Sequence, residues 1–154
     1  MAEPALKIVE TPAPTIRRFD TADLSQHGKW IVPRMIQSYP HLNERAVATF
    51  LQNVLWNNEW LILYSETGVA LAQVMSAHTL DAKPVVYERF VWVENKEDKA
   101  QLKHAAEFYT EFRRWAKSMS AEVIIVEENT DVPHELIKEK LGRIFTRQQQ
   151  FARL

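Results

Sequence analysis

Residues 84–129 read PVVYERFVWVENKEDKAQLKHAAEFYTEFRRWAKSMSAEVIIVEEN. The stretch parses into strand, polar turn, long helix and strand. Pro84–Asn95 is rich in β-branched and aromatic residues, the composition of a strand. The turn KEDKAQ leads into a helix expected from about Asp98 to Met119. Ala105, Phe108, Tyr109, Phe112, Trp115, Ala116 and Met119 recur along one side of it, with charged residues on the other. Val123–Val126 is an unbroken apolar run, which argues for a central strand covered on both faces. Strand, helix and strand in this order predict a parallel crossover. Such a unit sets a helix N-terminus, with its free N–H groups, beside the end of a strand. A site is expected there first.

Working outward, Trp60–Tyr64 and Val69 to about Thr79 flank Glu66–Thr67–Gly68 and read as a hairpin. Pro84 then opens the third strand of a meander. Asn43 is expected to cap a helix reaching about Asn57, with Val47, Phe50, Leu51, Val54 and Leu55 as its apolar stripe. Before it, Asp20, Thr21 and Asp23 supply helix-start chemistry. Gly28 and Pro33 predict two short helices, or one kinked helix, up to Ser38. Thr15–Phe19 reads as a short strand with Ile16 and Phe19 turned inward. Residues 1–14 carry three prolines among small and charged residues and read as a flexible tail, so the domain is expected over 15–154. Downstream, Asn129, Thr130, Asp131 and Pro133 predict another helix, ending at Gly142. RIFTRQQQFARL follows as an exposed or edge strand.

The chain has 154 residues, the length of one domain, and is 46% apolar, ample for a packed core. Its 19 basic residues are balanced by 20 acidic ones, which gives no basic field for nucleic acid. No apolar run is long enough to span a membrane, and the N-terminus lacks the pattern of a secretory signal. Cysteine is absent. That excludes disulfides, thiolate metal sites and a cysteine nucleophile, and makes a soluble cytoplasmic protein the expectation. His27, His41 and His134 have no partner at metal-ligand spacing, so no metal site is expected.

The order of elements resembles that of the GNAT acyltransferase superfamily over nearly the whole chain. VWVEN, a turn and QLKHAA look like that family's cofactor motif, with Gln101, His104 and Ala106 at its Gln, Gly and Ala positions. EVIIVEEN looks like the family's strand that ends in Asn. LIKEKLGRIF resembles its Leu–Gly–Phe junction. The resemblance implies a single α/β domain whose mixed central sheet, flanked by helices, splays after the strand Val85–Val93. It implies acetyl-CoA or CoA in the resulting wedge. The pantetheine arm would face the backbone of Val91, Trp92 and Val93, the pyrophosphate would face Gln101, Lys103, His104, Ala105 and Ala106, and Asn129 would stand near the arm. The departures are His104 at the glycine position, Glu94, Glu97 and Asp98 in a turn longer than the family's usual one, and Lys138 where a tyrosine often acts as acid.

Acetyl transfer to an amine needs a free amine, a polarised thioester carbonyl and the two held close. Glu88, mid-strand near the expected splay, is the candidate base. The competing reading turns Glu88 outward to pair with a Lys or Arg. His78 is a second candidate base. Two functions follow: an acetyl-CoA-dependent N-acyltransferase acting on an amine-bearing small molecule, or an inactive acetyltransferase-like protein that binds a partner enzyme. The second resembles, in general appearance, phage-encoded acetyltransferase-like effectors of host enzymes.

Overall fold

The computed structural model describes residues 15–38, 41–75, 84–127, 132–141 and 145–146. The expected tail, His78, Asn129, Gly142 and most of the last expected strand lie outside these residues. The first half of the described chain forms β1 (Arg17–Arg18), α1 (Thr21–Ser38), α2 (Glu44–Leu55), β2 (Trp60–Ser65) and β3 (Gly68–Met75). The second half forms β4 (Val85–Val93), α3 (Lys99–Ser118), β5 (Val123–Val126), α4 (His134–Leu141) and β6 (Phe145–Thr146). The strands lie in one mixed sheet in the order β1-β2-β3-β4-β5-β6. Neighbours from β1 to β4 are antiparallel, whereas β4, β5 and β6 run parallel. The meander and the β4–α3–β5 crossover therefore form as their sequence patterns require.

Alternation along the strands sorts side chains to two faces. Leu61, Leu63, Ala70, Ala72 and Val74 join a core beneath α3 and α4. Ile62, Tyr64, Val69 and Leu71 join a second core beneath α1 and α2. The small Ala70 and Ala72 leave room for Phe108, Tyr109 and Phe112 of α3, all fully buried. Each such aromatic contributes roughly 2–3 kcal/mol by leaving water. Ile16 and Phe19 both turn inward but to opposite cores.

Three local expectations are decided or changed. Of the two alternatives for residues 21–38, a single helix forms rather than two short ones. Asp20 Oδ1 accepts from Ala22 N at 2.8 Å and Asp23 Oδ2 accepts from Asp20 N at 2.9 Å, a reciprocal cap. The helix persists through Pro33 because Ile31, Val32 and Met35 are buried around it. Arg34 Nη1 also donates to the Trp30 carbonyl at 2.9 Å in the same turn. Gly68 belongs to β3 rather than to the turn. A Cβ there would lie 2.8 Å from Phe108 Cε2 and 3.1 Å from the Trp92 carbonyl, so glycine is required for close approach to α3. Third, β5 is internal, but its residues alternate between buried and half-buried, so its two faces are covered unequally.

Asn43 Oδ1 caps α2 by accepting from Ala46 N. No helix among the described residues is long and apolar enough to cross a membrane.

Candidate functional site

The site is built around β4. Its pairing with β3 slips between Leu71 and Ala72: Leu71 faces Phe90 and Ala72 faces Glu88, so Arg89 is an extra residue. Such a bulge bends the strand and interrupts alternation. Val86 and Glu88 point toward α3, Arg89 and Phe90 both point toward the α1/α2 side, and Val91 and Val93 point toward α3 again.

The second feature is a split. β4 pairs with β5 only through Val85, Val86 and Tyr87, against Val123, Ile124 and Ile125. β4 continues to Val93 on β3 alone. The edge of residues 88–93 that faces away from β3 therefore has no strand partner among the described residues. Six residues of strand are about 20 Å of backbone donors and acceptors. An extended ligand pairs with such an edge.

Glu88 sits where the strands part. It is 1% exposed. Its Oε1 accepts from the Tyr109 hydroxyl at 2.8 Å, and its Oε2 accepts from the Glu127 amide, just past β5, at 3.2 Å. The outward reading of Glu88 is thus corrected. A carboxylate inside the sheet is tolerable only when hydrogen-bonded, and these two donors come from α3 and from the far side of the split.

At the other end of the split, the first turns of α3 meet the tip of the β2–β3 hairpin. Asp98 caps α3, its carboxylate accepting from Ala100 N at 2.9 Å. Leu102 N already donates to the Asp98 carbonyl. The amides of α3 left without an intrahelical partner are thus those of its first three residues, one turn before His104, and the cap takes the Ala100 amide. The helix starts within a residue of the place the sequence gives it. Ala105 and Ala106 face the core, Lys103 is exposed, and Gln101 is half-buried with an Oε1 that finds no partner among the described residues. His104 points inward, 6% exposed, with its Nε2 at 2.7 Å from Ser65 Oγ. Burial holds its pKa below the usual imidazole value, with Glu107 partly opposing.

On the α1/α2 side, directly behind the bulge, lies a cleft of about 410 Å³. Met35, Phe50, Trp60, Leu71 and Phe90 form its walls. The Phe50 and Trp60 rings meet edge to face at 5.2 Å. Arg89 borders it, donating from Nε to Gln73 Oε1 at 3.0 Å and lying over the Tyr87 ring. Near the end of β4, the Arg34 guanidinium lies between the Trp30 and Trp92 rings and reaches Glu94 at 3.4 Å, tying α1 to the strand.

Of the residues singled out in the sequence, the structure brings Glu88, Val91, Trp92 and Val93 to one stretch of split strand and sets Gln101 and His104 beyond its end. Asn129 is outside the described residues. Tyr109, Ser65, Arg89 and the cleft were not foreseen. Tyr109 hides in an apolar helical stripe, and a bulge has no marker in an alternating strand. No group of three metal-capable side chains occurs among the described residues.

No family model matches the chain, and no curated protein matches its sequence. Solved structures match in fold. A putative acetyltransferase from Arthrobacter sp. FB24 has a TM-score of 0.66 at 14% identity, over 84% of this chain and 85% of its own. An aminoglycoside acetyltransferase from an uncultured soil metagenomic sample, in complex with sisomicin, has a TM-score of 0.63 at 13% identity, over 85% and 88%. AAC(6')-Iy, in complex with the bisubstrate analogue CoA-S-monomethyl-acetylneamine, has a TM-score of 0.64 at 16% identity, over 84% and 89%. At such identities the likeness establishes the fold. It is the splayed mixed sheet that the resemblance in sequence implies.

Proposed function

We propose that this chain, which has the fold of the GNAT acetyltransferases, is an N-acyltransferase that holds acetyl-CoA in the split between β4 and β5. The observation that carries this reading is the early end of the β4–β5 pairing, at Tyr87 and Ile125. The edge of residues 88–93, which has no strand partner among the described residues, suits the amide-bearing pantetheine arm, which can pair as a strand would. The fit at the diphosphate end is plainer. Lys96, Lys99 and Lys103 share the start of α3 with Glu94, Glu97 and Asp98, and the Asp98 side chain occupies one free amide. Lys99 and Gln101 supply the amides that remain, and Gln101 Oε1 beside them is a buried acceptor with no partner among the described residues.

Bound there, acetyl-CoA supplies an acyl carbon activated as a thioester. This chain's residues do the rest. Backbone N–H groups of Val91 and Val93, which alternate away from β3, polarise the thioester carbonyl, fixed dipoles that need no reorganisation. The cleft behind Phe90 holds the amine within reach of the same stretch of strand. The amine nitrogen forms its bond to the acyl carbon as the carbon–sulfur bond breaks. The proton it sheds balances the thiolate, and the products are an amide and free CoA. Glu88 enters as a positioning residue in this scheme. Its carboxylate holds the first amide beyond the split and the Tyr109 hydroxyl, and so sets the width of the slot.

Acetyl-CoA at about a hundred times its dissociation constant stabilises by roughly 2.7 kcal/mol. For a domain of this size that raises the melting temperature on the order of 5–10 °C. Thermal melts with millimolar acetyl-CoA check this, and an unchanged melt sinks the reading.

A further inference from the structure

We infer that Arg34 is a positioning residue for the acyl transfer: the diphosphate of CoA drives Glu94 onto it, and the closed pair draws α1, a wall of the cleft, against β4. The inference rests on the acyltransferase reading and concerns how the two halves of that site communicate.

Arg34 bridges α1 and the end of β4. Its guanidinium lies 4.0 Å from the Trp30 ring centroid and 5.2 Å from that of Trp92, within the range of cation–π attraction. Trp92 belongs to the part of β4 that β5 does not pair, and Met35, the residue after Arg34, walls the cleft. A movement of this one side chain is therefore felt at both.

The guanidinium is only partly used. Nη1 donates to the Trp30 carbonyl at 2.9 Å. Nη2 reaches Glu94 Oε1 at 3.4 Å, longer than the about 2.8 Å of a well-formed charge-assisted bond. Nε is buried and finds no partner among the described residues. Nε and Nη2 share one edge of the planar group, the edge that takes a carboxylate through two parallel bonds. Glu94 thus stands at a fork that it has not closed. A buried N–H left unpaired is costly, the more so on a charged group, so closure is favourable once something brings the carboxylate in.

The diphosphate supplies the push. Glu94 lies between β4 and α3. Its backbone amide is fixed to the Thr67 carbonyl at 2.8 Å, while its side chain is 55% exposed and has room to swing. A diphosphate on the first amides of α3 is a like charge near this carboxylate and repels it, and Arg34 offers the cationic alternative. With the backbone of Glu94 anchored, closing the fork moves α1 toward β4. The cleft then takes its final width only when the cofactor is seated, and the coupling between the two ligands is reciprocal.

The test follows tryptophan emission while CoA is added, because two of the five tryptophans flank the guanidinium. Wild type is expected to give a saturable change with CoA and none with pantetheine, which lacks the diphosphate. Replacing Trp30 and Trp92 together by phenylalanine should remove the change. Glu94→Gln should bind CoA at least as tightly, since it takes a carboxylate from beside the anion, and lose the emission change. Arg34→Lys keeps the charge without the fork and should lose it too. If that variant does not fold, Glu94→Gln decides alone. A purely structural Arg34 would lower the melting temperature of the variants and leave the emission change in place. Thermal melts with CoA report binding separately. The inference is overturned, with the acyltransferase reading left standing, if CoA binds wild type with no change at Trp30 and Trp92, or if a full change survives in Glu94→Gln. Loss of CoA binding by Glu94→Gln, or the same change with pantetheine, also overturns it. Failure of CoA to bind wild type removes that reading and this inference with it.

Discussion

On the α3 side of the sheet, Phe108, Tyr109 and Phe112 are wholly buried and the polar side chains among them are hydrogen-bonded in pairs, Glu88 to Tyr109 and His104 to Ser65. On the α1/α2 side, Phe50 is 36% exposed and a cleft of about 410 Å³ reaches down to Leu71 and Phe90. The connections explain the difference. A long helix that crosses over between two parallel strands lies along the sheet and must pack closely onto it. The other face is covered by two helices that precede the meander, and the cleft opens between them and β4. The bulge at Arg89 aims two successive side chains into that opening. One face fixes the split strand in place, and the other has room for a substrate.

The largest expected effect tests this division directly. Phe112→Ala on the closed face should cost about 3–5 kcal/mol, because a buried ring leaves a cavity that close packing cannot fill. Phe50→Ala on the open face should cost under about 1 kcal/mol, the range for a side chain already in water. Urea denaturation of both variants measures the contrast. Similar costs would mean that the cleft wall is packed as tightly as the core.

A middle-sized effect concerns the polar hinge between the faces. Tyr109→Phe takes one donor from the buried Glu88 carboxylate, and Glu88→Gln turns a donor toward a donor. Each should cost about 1–3 kcal/mol. A double-mutant cycle should show the two changes to be coupled. If Glu88 sets the slot, Glu88→Gln should also raise the KM for acetyl-CoA more than the KM for the amine. An unchanged acetyl-CoA KM together with lost stability would reduce Glu88 to a structural residue.

Much of this architecture was legible from periodicity. The stripe through Phe108, Phe112 and Trp115 announced α3, and the apolar run Val123–Val126 announced an internal strand. The capping asparagine fixed the start of α2. At Pro33 local propensity left two short helices or one helix open, and one forms because Ile31, Val32 and Met35 are held in the core against the sheet. The site was less legible. Glu88 stood out as a carboxylate in an apolar strand, but its orientation depended on Tyr109, a residue 21 positions away with nothing to separate it from other core aromatics. The bulge at Arg89 was invisible, since a strand with one extra residue still reads as alternating. His104 stood out because the family resemblance sets it at the motif's glycine position. The helix starts at Lys99, where the sequence puts it, so its first amides lie a turn before His104, whose side chain faces the core.

The smallest expected effect comes from that histidine and asks whether the closed face is closed to protons. Burial lowers the His104 pKa in the folded chain below its ordinary value of 6.5, and Glu107 only partly offsets this. Above pH 6.5 the imidazole is neutral in folded and unfolded chains alike, and its contribution to stability is fully present. As the pH falls below 6.5 the unfolded chain binds the proton first, so stability declines until the lowered folded pKa is passed. His104→Gln keeps a polar group near Ser65 and removes the titration. The stability difference between wild type and variant should therefore shrink on acidification from about pH 7 to about pH 5. The other ionisable groups, common to both proteins, cancel in that difference. A difference that stays flat over this range would mean that His104 accepts its proton as readily folded as unfolded, and that the α3 face opens at its end nearest the hairpin.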